Sequence, residues 1–157
     1  MLKRERKLNR WQGWDYSREG FYFVTIDCKN MGRWFGEIIN KKINLNDYGV
    51  IADSCWRKIP KVYKGVRLDK YVIMPNHVHG IIRIIKVGTA QCAVRTNGFL
   101  SKIIKSYKNA VTKEIRGGEK LKYFEWHRSF YDRIIRDERE LENVRKYIKN
   151  NPKNWNK

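Results

Sequence analysis

Tyr71-Val-Ile-Met-Pro-Asn-His-Val-His-Gly-Ile-Ile-Arg-Ile-Ile85 is the stretch that decides the fold. Its two halves, 71–74 and 77–85, are rich in the β-branched and aromatic residues that favour strands. Between them stands Pro75-Asn76. Proline presets φ at about −65° for the second position of a turn and asparagine tolerates the third, so the stretch predicts an antiparallel hairpin.

The neighbouring segments supply what such a hairpin pairs with and packs against. Upstream, Phe21-Tyr-Phe-Val-Thr-Ile-Asp-Cys28 has strand composition. Asn46 is placed to cap a helix with Tyr48, Ile51, Ala52, Cys55, Trp56 and Ile59 on one stripe, ending before Pro60. Downstream, 86–98 shows no period and is expected to be a flexible connection. Leu100, Ile103, Ile104, Tyr107, Val111 and Ile115 trace a second amphipathic helix, stopped by Gly117-Gly118, with Lys102, Lys105 and Lys108 off its stripe. A strand over 130–135 follows. Asp137-x-x-Glu140 then forms a capping pair for a last helix with Leu141, Val144 and Ile148 inward, closed by Asn151-Pro152. The order predicts an α+β fold: a ferredoxin-like βαββαβ core with a four-stranded antiparallel sheet and both helices on one face, plus an additional C-terminal helix.

Composition bounds what such a domain can do. The chain has 157 residues, 41% apolar and 13% aromatic, enough for one core, so a single domain over 1–157 is expected. Residues 1–20 form a basic arm carrying Trp11, Trp14 and Tyr16, and aromatics among cations suit base stacking. Thirty-five Lys and Arg against 16 Asp and Glu leave a formal charge of +19, far above the roughly 2–8 that solubility requires of a small domain. The excess points to a polyanionic partner, nucleic acid first, bound in a salt-sensitive way. No apolar run approaches the roughly 18 residues of a membrane span, and no signal core follows the N-terminus, so neither membrane insertion nor secretion is expected. Cys28, Cys55 and Cys92 are scattered with no C-x-x-C pair and read as buried thiols in a reducing compartment.

Two of the three histidines, His77 and His79, sit at i and i+2 on a predicted strand and so share a face, while Val78 points to the other. Two imidazoles on one face can share a divalent cation, although the spacing also suits structural histidines. On the last helix Tyr147 and Asn151 are four apart and project together. An amide oxygen can serve a metal while a neighbouring phenol attacks phosphorus, but nine tyrosines compete for that role and packing is the alternative for any of them.

Met74-Pro-Asn-His-Val-His-Gly80 resembles the metal motif of single-tyrosine HUH transposases of the IS200 type, most closely the REP-associated tyrosine transposases. Agreement extends to Tyr16-Ser, Phe23-Val-Thr, Ser101 through Val111-Thr-Lys, and Phe130-Tyr-Asp-Arg-Ile-Ile-Arg-Asp-Glu138, nearly the whole chain. The resemblance implies Tyr147 as the catalytic tyrosine, on the helix before Asn-Pro. It also implies His77, His79 and Asn151 as ligands of Mg²⁺ or Mn²⁺, and a 5′-phosphotyrosine intermediate on single-stranded or hairpin DNA. Such an enzyme would act in the bacterial cytoplasm, nucleoid-associated when bound. IS200-type relatives exchange the tyrosine helix in a dimer and REP-associated ones can act as monomers, so a monomer or homodimer is implied. Arg10, Trp14, Tyr16, Lys105 and Arg128 are the expected DNA contacts. His127 stands where relatives often carry glutamine and reads as a surface residue. Two alternatives share the charge and the histidines: a silent hairpin-DNA-binding module, and a metal-dependent nuclease that activates water.

Overall fold

β1 (Gly20–Asp27) pairs antiparallel with two strands, β5 (His77–Ile84) on one side and β6 (Tyr131–Ile135) on the other, and β4 (Val66–Ile73) pairs antiparallel with β5. The order across the sheet is therefore β4-β5-β1-β6. Helices α1 (Asp47–Val62) and α2 (Phe99–Gly117) make the crossovers and α3 (Glu138–Asn150) follows β6, which is the expected ferredoxin-like core with its extra helix. This computed structural model describes residues 18–85, 98–117 and 123–156. Most of the 1–20 arm, with Arg10, Trp14 and Tyr16, nearly all of the 86–98 connection and Cys92 lie outside the described residues.

Alternation along the strands divides the side chains between two cores. Tyr22, Val24 and Ile26 of β1, with Val78, Ile82 and Ile84 of β5, face α1 and α2 and bury the stripes read from sequence. Phe23, Ile81 and Ile135 face the other way and receive Leu141, Val144 and Ile148 of α3. The N-caps of α1 and α3 were legible. The Asn46 side chain accepts from the Gly49 N–H, and the Asp137 carboxylate accepts from the Glu140 N–H at 2.7 Å.

Gly80 is fixed by close approach. A Cβ built on it would lie 2.2 Å from Cζ2 of Trp56, an indole that is fully buried between α1 and the sheet. Neither partner has room to yield, so Gly80→Ala is expected to cost about 3 kcal/mol through overpacking. Urea unfolding checks this, and an unchanged midpoint would contradict it.

Three sequence expectations need correction. A two-stranded sheet, β2 (Gly36–Ile39) with β3 (Lys42–Leu45), stands before α1 where no element was read. Its turn places Asn40 and Lys41 at φ 50° and 61°, the left-handed geometry of a type I′ hairpin. β4 begins at Val66, not Tyr71, because its register shifts between Leu68 and Tyr71 and breaks the alternation. α1 runs through Pro60 to Val62. Proline there removes the one bond that its N–H would give, while burial of Ile59 and the Tyr63 N–H bond to the Ile59 carbonyl hold the last turn.

Candidate functional site

His77 and His79 project from β5 onto the face covered by α3, with ring centroids 4.4 Å apart. Residues on β1 hold them there. Thr25 lies opposite His79 in the register, and its Oγ1 is 2.8 Å from His79 Nδ1. Phe23, two residues earlier on the same face, stacks on the His79 ring at 5.4 Å. On the other histidine, Nδ1 lies 2.6 Å from Oδ1 of Asn76, the turn residue that precedes it. An amide oxygen only accepts, so the His77 proton sits on Nδ1 and the lone pair on Nε2. That Nε2 is buried and has no hydrogen-bond partner.

α3 brings the expected tyrosine over this pair. The Tyr147 ring centroid is 5.3 Å from that of His79 and 6.0 Å from that of Phe23, and the side chain is 51% exposed. Asn151 caps the same helix, and its side chain acts to raise the His77 pKa. Trp155 closes the far side, stacked on His77 at 6.1 Å with the Arg33 guanidinium 5.6 Å from its own ring centre. α3 is clamped to the sheet by a bidentate pair. Arg145 Nε donates to Asp69 Oδ1 at 2.9 Å and Nη2 to Oδ2 at 2.7 Å. The β4 irregularity supplies that carboxylate. Leu68 and Tyr71 both pack on the α1–α2 side, so the two residues between them fall where the ladder is broken and Asp69 can reach α3.

The electrostatics keep both imidazoles neutral. Burial drives the His79 pKa down to about 3, with the neighbouring His77 adding to the shift. Burial also lowers His77, against the opposing pull of the Asp27 carboxylate and Asn151. A neutral imidazole with Nδ1 engaged presents Nε2 as a ligand, and the orphaned Nε2 of His77 fits a bound cation that supplies its missing partner. Among the described residues no group of three His, Cys, Asp or Glu could hold a metal, so a third ligand drawn from those residues would be of another type. The Asn151 amide satisfies that condition. Cys28 and Cys55 belong to the core on the opposite face of the sheet, and burial first of all pushes their thiols up to about 12 and about 11.

These depressed values fix a pH dependence for the metal-free protein. Between about pH 6.5 and 3 the unfolded chain binds protons that folded His79 refuses, so the stability His79 contributes is complete above pH 6.5 and lost as pH falls. In chelator, urea unfolding at pH 5 is expected to give roughly 2 kcal/mol less stability than at pH 7.5 from this residue. His79→Gln should flatten that slope, and equal stability of the wild type at the two pH values would contradict the assignment.

The remaining sequence candidates lie elsewhere. Lys105 is exposed on α2, which packs on the sheet face away from the histidines. Arg128 and His127 are exposed in the segment entering β6, where the His127 N–H bonds to the Asp27 carbonyl at the end of β1. Lys108 pins that segment by donating to the His127 and Ser129 carbonyls. Thr25, Asn76, Phe23 and Trp155 were given no role in the site from sequence. The first three had a signal available: Asn76 adjoins His77, and Phe23 and Thr25 alternate on the strand beside the hairpin.

Comparison with known proteins places this geometry in context. The family model of IS200-like transposases matches residues 46–151. An uncharacterized protein of Haemophilus influenzae is 38% identical over 162 residues, covering 96% of this chain and 89% of that protein. Two solved structures share the fold. A REP-associated tyrosine transposase bound to a REP hairpin aligns with a TM-score of 0.63 at 17% identity, over 91% of this chain and 72% of that one. A Deinococcus radiodurans protein assigned as a transposase aligns with a TM-score of 0.51 at 16% identity, over 90% and 97%. No helix among the described residues is long and apolar enough to cross a membrane.

Proposed function

Because the chain belongs to the family of IS200-like transposases, we propose that it is a divalent-cation-dependent endonuclease and strand transferase of single-stranded DNA, with Tyr147 as nucleophile. The observation that carries this reading is the Tyr147 ring 5.3 Å from the imidazole of His79, half exposed and therefore open to a substrate. A tyrosine kept only for packing would be expected inside the α3 core with Val144 and Ile148.

In this reading His77 and His79 would hold Mg²⁺ or Mn²⁺ with the Asn151 amide as third ligand, a donor set of imidazole nitrogen and amide oxygen with no thiolate. Bound there, the ion would polarise a phosphoryl oxygen and offset charge in an in-line displacement. The chain's own residues do the rest. Thr25 and Asn76 fix the two ring orientations, and the Asp69–Arg145 pair fixes the helix that presents the phenol. Tyr147 Oη gives its proton to solvent water and bonds to phosphorus, and the P–O3′ bond breaks. The leaving O3′ takes up a proton, giving a 5′-phosphotyrosine and a free 3′-hydroxyl. The ester so formed keeps the energy of a phosphodiester, so another 3′-hydroxyl can displace the tyrosine and rejoin the strand without a nucleotide cofactor.

Single-stranded or hairpin DNA is the substrate that the charge of +19 suits. Exposed Arg33, Lys146, Lys149 and Lys153 stand near the tyrosine in sequence or structure. Lys105 and Arg128 suit phosphates farther along the strand, and Arg10, Trp14 and Tyr16 complete the proposed DNA contacts from the arm. The test is incubation with end-labelled hairpin DNA carrying single-stranded flanks, in Mn²⁺. A labelled adduct that survives denaturation supports the proposal. Cleavage without an adduct would replace it with a nuclease that activates water, and retention without cleavage would replace it with a binding module.

A further inference from the structure

A cavity of about 300 Å³ opens between β1, β6 and α3, lined by Phe23, Tyr131, Arg133, Asn143, Val144 and Tyr147. Sheet register and helix spacing build it. Tyr131 lies opposite Thr25, and Arg133 opposite Phe23, so both continue across β6 the rows of side chains that hold His79. Asn143 stands one helical turn before Tyr147 and projects from the same side of α3. The cavity and the histidine pair are therefore contiguous, sharing Phe23 and Tyr147.

We propose that this cavity is a nucleobase subsite, which takes the unstacked base of the nucleotide next to the phosphate at Tyr147. The lining has what a base requires: Phe23 and Val144 as apolar walls, the ring of Tyr131, 40% exposed, as a stacking surface, and one amide that can both donate and accept. A phosphate suits it less well. Arg133 is the only cation among the described residues of the lining, and its Nη2 is already 3.2 Å from Glu140 Oε1. A purely apolar guest would leave Asn143 and Arg133 unused at the wall. The position of the base relative to the scissile phosphate rests on the proposed role of Tyr147, whereas the preference of the cavity for a base does not.

The test compares two probes of equal charge, a dT 12-mer and a 12-mer of abasic tetrahydrofuran units, by fluorescence anisotropy in chelator, where no strand chemistry can contribute. Tyr131→Ala is expected to weaken binding of the dT strand on the order of 5-fold or more and to leave the abasic strand unchanged, while Tyr131→Phe binds both as the wild type does. Asn143→Ala, at an exposed helical position, repeats the measurement without altering the sheet and is expected to weaken the dT strand alone. Equal losses on both strands, or no loss on either, in both alanine variants would overturn the subsite. Base-dependent losses in a protein that forms no adduct with hairpin DNA would remove the nucleophile and keep the subsite. An adduct without base-dependent losses would remove the subsite alone.

Discussion

Tyr147→Phe is expected to bind single-stranded DNA with the affinity of the wild type and to form adduct at least about 10³-fold more slowly, below detection in a gel assay. The substitution removes one oxygen. The ring contacts to Phe23 and His79 survive it, since both are edge contacts of the aromatic body. The side chain is half exposed, so loss of the hydroxyl leaves no buried group unsatisfied and folding is unaffected. A residual adduct in the variant would mean that another tyrosine attacks. Tyr131 is the foremost competitor, since it lines the same cavity on the same face of the sheet.

His79→Ala carries the second large effect. Cleavage in Mn²⁺ is expected to fall on the order of 10²–10³-fold, because in the proposed mechanism a polarising ion would supply several kcal/mol of transition-state stabilisation and would lose one of its two imidazoles. Raising Mn²⁺ should recover part of the rate, which a merely structural histidine would not allow. The substitution also removes the ring on which Phe23 stacks and the partner of Thr25, so some loss of folding stability accompanies it. Measuring DNA affinity beside the rate separates the two effects. If the variant binds DNA normally and cleaves at the wild-type rate, the histidine pair has no part in the chemistry.

Much of this arrangement was legible in the sequence, for reasons that individual residues make plain. The 71–85 hairpin is announced by Pro75-Asn76, and the i, i+2 spacing of the histidines fixes their common face whatever the exact strand ends. The stripes of α1 and α2 are clean because each helix buries only one side, and Asn46 and Asp137 cap where their short polar side chains predict. The small β2–β3 sheet was hidden by its length of four residues per strand and by a turn, Asn40-Lys41, that lacks the glycine usual in the left-handed position. The bulge in β4 hid the start of that strand and with it Asp69, whose meaning appears only when Arg145 arrives from a helix 76 residues away in sequence. Pro60 misled because proline ends a helix only when packing does not hold the turn that follows. At the site, spacing placed Tyr147 and Asn151 on one side of a helix but could not orient that helix. The α3 stripe of Leu141, Val144 and Ile148 docking on Phe23, Ile81 and Ile135 does so.

The most direct measurement is the identity of the DNA-linked residue in the wild-type protein. Adduct formed with hairpin DNA in Mn²⁺ is digested with nuclease and protease, and the peptide that retains a nucleotide is sequenced by mass spectrometry. The nucleotide is expected on Tyr147, within the segment Val144-Arg-Lys-Tyr-Ile-Lys-Asn150. A nucleotide on Tyr131 or any other side chain, or no nucleotide-bearing peptide from DNA that has been cut, would contradict the placement of the chemistry on α3.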